Sequence, residues 1–371
     1  MVAAGFALAG MLTGGLMQTD VVAYETAFGL NHEQVSFWLS LFSVGTALGG
    51  GVAGWLSDVW GAGRIYRACM GLSGAGLAAF ACGHAASNAF GFTASALGVG
   101  GLIVGNILVS NDETDTPCRS LNHLHASHGF ARLIGVFLSI FVLSLFWQLS
   151  YLILGIAFVA LAVFYSPRRG SGLSRPAETA KTPANSAGKM LWPVGLAFLL
   201  YMTAEMVLIT WLPAYFEKDL QWGAGSSKAI YGFFLAGLIA GRLVGAKFWP
   251  RELSSLACRF LMAVHAAAVA VFLWAGHPAA LGAALFAAGF CEGPGWPALF
   301  AFAMRRSAGM EGKVTSVIYV VCCAAIVLAT AGSGMLAERR GLESVFYVVG
   351  VAHLLFSLLF DWLLLSKPLI R

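Results

Sequence analysis

Charge is what this chain has least of: 11% of its 371 residues are Asp, Glu, Lys or Arg, against roughly 25% in a soluble domain. With 59% hydrophobic residues and a mean hydropathy of +0.80, an ordinary soluble globule is excluded. Cysteine is scarce in polar surroundings. Six of the seven lie in apolar runs and only Cys118 in a polar stretch, so no disulfide framework is implied. No G-x-x-x-x-G-K-[ST] phosphate loop occurs, which removes nucleotide hydrolysis as an energy source. No basic segment precedes the first apolar run, which starts at Met1 and contains Asp20; it reads as a retained span, not a cleaved signal.

What is present is a succession of apolar runs. A helix needs about 20 residues to cross the hydrocarbon. Runs near 2–26, 34–56, 65–83, 89–109, 122–146 and 150–165 are followed by a polar stretch, then by runs near 190–215, 228–249, 255–275, 279–302, 314–336 and 344–365. The expectation is an all-α membrane protein of twelve transmembrane helices in two pseudo-symmetric six-helix bundles, 1–165 and 190–371, joined by a linker at 166–189. Tight connections are expected at 147–150 and 276–278. Counting loops alternately puts sixteen Lys and Arg on one side and four on the other. Basic residues are retained on the cytoplasmic side, so both termini and the linker are expected there, in a bacterial inner membrane. The net charge of +5 then calls for no nucleic-acid partner.

Sliding the chain on itself by 192 residues lays Gly45 and Gly49 on Gly237 and Gly241, Arg67 on Arg259 and Met70 on Met262. Parallel halves around a midplane site are a known transporter plan. Between the second and third runs stands Gly54-Trp-Leu56-Ser-Asp58-Val-Trp-Gly61-Ala-Gly-Arg64. It resembles the G-x-L-x-D-x-x-G loop of the major facilitator superfamily, although Val59, Ala62 and Gly63 stand where basic residues are usual. The resemblance gives Gly54, Asp58, Gly61 and Arg64 to a gating loop, with Asp58 facing a helix N-terminus or a cation. Leu121-Asn122-His123-Leu124-His125-Ala126, Gly241-Arg242-x-x-Gly245 and Trp296-Pro297 are similar to the branch of fucose permeases and related sugar:proton symporters. The fourth run lacks the carboxylate that this resemblance leads one to expect, and Gln18 stands near the expected acid of the first.

A charge at the bilayer centre is costly, so embedded ionisable residues are functional suspects. The acids are Asp20, Glu205, Glu292 and Asp361; the bases are Arg132 and Arg242. In the family that the chain resembles, the first, fourth, seventh and tenth helices line the cavity, which favours Glu292, Asp20 and Glu205 as proton-coupling groups. Glu292 comes first, because Gly293, Pro294, Gly295 and Pro297 interrupt the helix beside it, and broken backbone at membrane depth lines a cavity or is buried in protein. Asp361 is read as structural. Gln18, Asn106, His125, His128, Arg132, Tyr201, Arg242 and Trp296 complete the expected substrate cavity. His123, His125, His128 and Cys118 invite a metal reading, but His123 and His125 face different ways on a helix, and no metal or cofactor is expected. The resulting expectation is a monomeric, non-enzymatic secondary transporter taking up a small neutral or weakly polar solute with protons. Proton-driven efflux, metal or metal-chelate transport, and a non-transporting receptor or assembly factor are the alternatives. An anionic substrate is disfavoured by four embedded acids against two arginines.

Overall fold

In lipid a backbone must satisfy its own N–H and C=O groups, so apolar runs of this length close on themselves as helices. The computed structural model describes residues 1–13, 22, 25, 29–82, 85–112, 115–141, 143–166, 184–305 and 310–364, and among them there is no strand. The helices are α1 (Val2–Gly10), α2 (His32–Trp60), α3 (Ala62–Ala81), α4 (Ala85–Gly101), α5 (Gly105–Asp112), α6 (Pro117–Phe141) and α7 (Leu143–Phe164). They continue as α8 (Ala184–Lys218), α9 (Ala224–Phe248), α10 (Ser255–Trp274), α11 (Pro278–Glu292), α12 (Gly295–Arg305), α13 (Glu311–Arg340) and α14 (Glu343–Leu364). A 3₁₀ turn at Leu102–Val104 joins α4 to α5.

Seven of the described helices are long and apolar enough to cross a bilayer. Of the other expected runs, 279–302 is split by its Gly-Pro-Gly break into α11 and α12, and 2–26 lies partly outside the described residues. The connection expected at 147–150 falls inside α7: nothing there removes a donor or needs a special φ, so the helix runs through. Likewise, α8 begins at Ala184, within the expected linker. Along α2, Phe37, Leu41, Val44, Leu48, Val52, Trp55 and Val59 form an exposed apolar stripe at helical spacing, as a helix facing lipid requires.

The 192-residue repeat recurs in the packing. Helices α3 and α4 pack together, as do α10 and α11; α2 packs on α4 as α9 does on α11, and α3 on α7 as α10 does on α14. The two most extensive contacts between the halves are α2 on α13 and α6 on α9, and the offset carries one pair into the other. Even the irregularities correspond, since the break at Gly101 is displaced by 192 from that at Gly293. The repeated glycines are crossing points: a Cβ on Gly49 would run into the Leu97 carbonyl, and one on Gly237 or Gly241 into the carbonyls of Phe286 or Phe290.

Candidate functional site

Between the halves lies a cavity of about 160 Å³, walled by α1, α2, the 3₁₀ turn, α6, α8, α9, α12 and α13. Most of its lining is apolar or hydroxylic: Phe6, Phe42, Met202, Met206 and Ile326 with Thr13, Ser43 and Thr46. Among the described residues the charged side chains in it are Arg132 from α6, Glu205 from α8 and Arg242 from α9, with His125 and His128 beside them.

Arg132 and Glu205 approach to 3.6 Å, and both side chains are about 5% exposed. The pair joins the two halves at the cavity wall. The Nε of Arg132 is buried without a hydrogen-bond partner among the described residues, leaving a cationic donor for a ligand oxygen. Arg242 is differently committed. Its Nη1 donates to the His125 carbonyl at 2.7 Å and its Nε to the Gly293 carbonyl at 3.3 Å, so it straps α6 to a carbonyl freed by the α11–α12 break.

Asn106 Nδ2 donates to the Ile103 carbonyl at 3.0 Å, which turns Oδ1 toward His125 Nε2 at 2.9 Å. His125 therefore donates from Nε2 and keeps its Nδ1 lone pair. Its ring lies 4.3 Å from that of Trp296, which stacks in turn on Phe300 at 5.0 Å.

The expected residues thus divide. His125, His128, Arg132, Glu205, Arg242 and Trp296 share the cavity, and Asn106 stands behind His125. Tyr201 is fully buried outside the lining and donates its hydroxyl to the Glu292 carbonyl at 2.7 Å. Glu292 is not a lining residue either: its carboxylate faces His265 and His353, each at 3.7 Å. The break begins one residue after it and so turns the following segment, not Glu292, to the cavity. Gln18 and Asp20 lie outside the described residues, as does the side chain of Asp361.

The loop motif performs a local task. Asp58 Oδ1 accepts from the Gly312 backbone N–H at 3.1 Å at the start of α13, where a carboxylate suits the helix dipole. Gly54 approaches the Gly312 carbonyl and Ser316 so closely that a Cβ would collide, and Gly61 turns the chain at φ 87°. Arg64 is exposed.

At the opposite end, sequence reasoning missed a second contact between halves. Glu25 pairs with His32 at the start of α2 and with Lys218 at the end of α8, the latter at 2.5 Å. Trp211 is fully buried and donates to Ser333 Oγ at 2.6 Å.

The arrangement is one polar cavity between two structurally repeated halves, and the comparisons agree with it. The chain is similar in structure to the human organic anion transporter MFSD10, at 15% identity and a TM-score of 0.77 over 96% of this chain and 97% of that one. It is also similar to the E. coli fucose:proton symporter, at 15% identity and 0.69 over 98% of each. The proton:xylose symporter XylE matches at 14% identity and 0.75 over 97% of this chain and 94% of that one. No curated protein matches the chain in sequence. The family model of the Major Facilitator Superfamily matches residues 2–330, nearly the whole length, and the chain belongs to that family.

Proposed function

We propose that this major facilitator superfamily transporter carries a small organic solute together with a proton by alternating access, across a membrane it spans with twelve helices, as a monomer with both termini cytoplasmic. The neighbours named for sugars and for organic anions share one fold, so the cavity has to discriminate between cargoes. Among the described residues its lining contains two arginines and one carboxylate. On that count the charge balance that disfavoured an anion is reversed, and the cavity suits a solute bearing a carboxylate or a comparable anionic group.

The observation that carries the reading is the Arg132–Glu205 pair. Arg132 cannot serve Glu205 and a solute anion fully at the same time. A proton taken up by Glu205 cancels its charge and frees Arg132 for the solute. When the solute leaves, Arg132 draws Glu205 back into its ionised form and the proton departs. Loading both or neither is the condition for symport. The charged and titratable groups that act on Glu205 are Arg132, Arg242, Tyr201, Tyr231, Cys322 and Glu292, and with the proton on Glu205 the two arginines supply the countercharge for the solute.

The test uses purified protein in liposomes. A thermal-shift screen of matched pairs, each a carboxylate and its amide, should stabilise the protein with the carboxylate member. Glu205→Gln should then exchange internal for external solute but fail to accumulate it when a proton gradient is imposed. Accumulation at the wild-type level by this variant sinks the coupling assignment, and stabilisation by neutral sugars alone sinks the substrate class.

A further inference from the structure

We propose that His265, Glu292 and His353 form a binding site for one divalent transition-metal ion of the zinc class, inside the C-terminal half and separate from the transport cavity. His265 comes from α10, Glu292 is the last residue of α11, and His353 is on α14. All three side chains are completely buried. One donor atom from each lies within 4.8 Å of those of the other two, and the two imidazole-to-carboxylate separations are 3.7 Å. Ligands at zinc distances stand about 3.3 Å apart around a tetrahedron, so each imidazole-to-carboxylate separation needs to shorten by only a few tenths of an ångström.

The second observation is the set of atoms left without partners. His265 Nε2, both carboxylate oxygens of Glu292 and both ring nitrogens of His353 are buried with no hydrogen-bond partner among the described residues. The His265 nitrogen that faces Glu292 at 3.7 Å is Nδ1, which also lies 2.9 Å from the Ala288 carbonyl; as a metal ligand it gives up that bond, and Nε2 then carries the hydrogen. The two oxygens of Glu292 and one nitrogen from each histidine therefore converge. A single water has two hydrogens for them, whereas a cation satisfies them together. Two imidazoles and one carboxylate are a donor set that zinc and its neighbours favour. Neither Lys nor Arg forms an ion pair with Glu292 among the described residues. A bound ion would tie α10, α11 and α14 together just before the Gly293 break, and would fix the Glu292 carbonyl that Tyr201 holds.

The proposal rests on no part of the transport reading, and its test needs no substrate. The full chain is purified with a tag free of histidine, and its metal content is measured by plasma mass spectrometry. Close to one zinc per chain is expected. A chelator should lower the melting temperature, Zn²⁺ but not Mg²⁺ should restore it, and Co²⁺ should give the strong visible bands of a four-coordinate ion. His265→Gln and His353→Gln should each lose the metal and the Zn²⁺ response, while His123→Gln, at an exposed position, should keep both. If either core variant fails to fold, Co²⁺ binding to the chelated wild-type protein decides. The proposal is overturned if wild-type protein takes up neither Zn²⁺ nor Co²⁺, or if the bound metal persists in His265→Gln.

Discussion

At a separation of 3.6 Å, Arg132 and Glu205 are close enough to attract strongly in a dry wall, yet longer than a hydrogen bond, and the Arg132 Nε remains unpartnered. Losing a hydrogen bond to a charged group costs about 1.5–3 kcal/mol. Arg132→Ala should therefore raise the KM for solute roughly ten- to a hundredfold, with Arg132→Lys recovering part of it, because a lysine supplies charge without the planar fork. Initial-rate uptake in liposomes measures both. A second contact to test is that of Glu25 with His32 and Lys218. Glu25→Gln removes the charge that both partners face, so its melting temperature should fall below that of wild type; an unchanged value would remove the contact's role. Single residues were legible in sequence where burial cost made them conspicuous: Arg132, Glu205 and Arg242 are charges in apolar runs. His265 and His353 were not, because a lone histidine in such a run carries no mark of its partner. Their meeting at Glu292 depends on how three helices far apart in sequence cross.

Elements were more legible than their ends. Apolar runs located nearly every helix, since nothing but helix suits a long apolar segment. Boundaries drifted where no proline or glycine stops the backbone, as at the start of α7. The glycine ridge was legible through the repeat alone, and the structure gives it a cause in the crossings of α2 on α4 and α9 on α11. Gly241→Leu would drive a side chain into the Phe290 backbone. Overpacking of that kind costs about 1–3 kcal/mol, and because the α9–α11 crossing also positions Arg242, transport should fall more than stability. Gly223→Leu is the control, since nothing lies near its Cβ. Unimpaired uptake by Gly241→Leu at normal expression would show that α9 can move away without consequence. The Gly293 break was legible as a break, but not its direction: a glycine–proline–glycine run predicts that the helix stops, whereas the packing of α10 and α14 decides that Glu292 faces inward to two histidines.

At the scale of the whole molecule, α2 and α13 run antiparallel across the seam between halves. They touch from Ser40 and Thr330, whose hydroxyls are 2.9 Å apart, through Thr46 and Cys323, to the Ser316 hydroxyl on the Gly51 carbonyl at 2.9 Å and Asp58 on Gly312. Contacts of small residues and hydroxyls along a whole seam are individually weak and close-fitting. They can part at one end while holding at the other. Alternating access requires that freedom: the Glu25–Lys218 end must open while the Asp58–Gly312 end stays shut, and then the reverse. Replacing Ser40 and Thr330 by cysteine puts two sulfurs where two bonded hydroxyls now meet, close enough for a disulfide after a small adjustment. Oxidation of this double variant should stop both net uptake and solute exchange, because the halves can no longer separate there, and a reductant should restore them. The seven native cysteines are unpaired, and replacing the exposed Cys82 by serine removes the one most open to side reactions. Each single variant should transport with or without oxidant. If the fully cross-linked protein moves solute at the uncross-linked rate, the halves do not part along this seam, and the path must open between other helices.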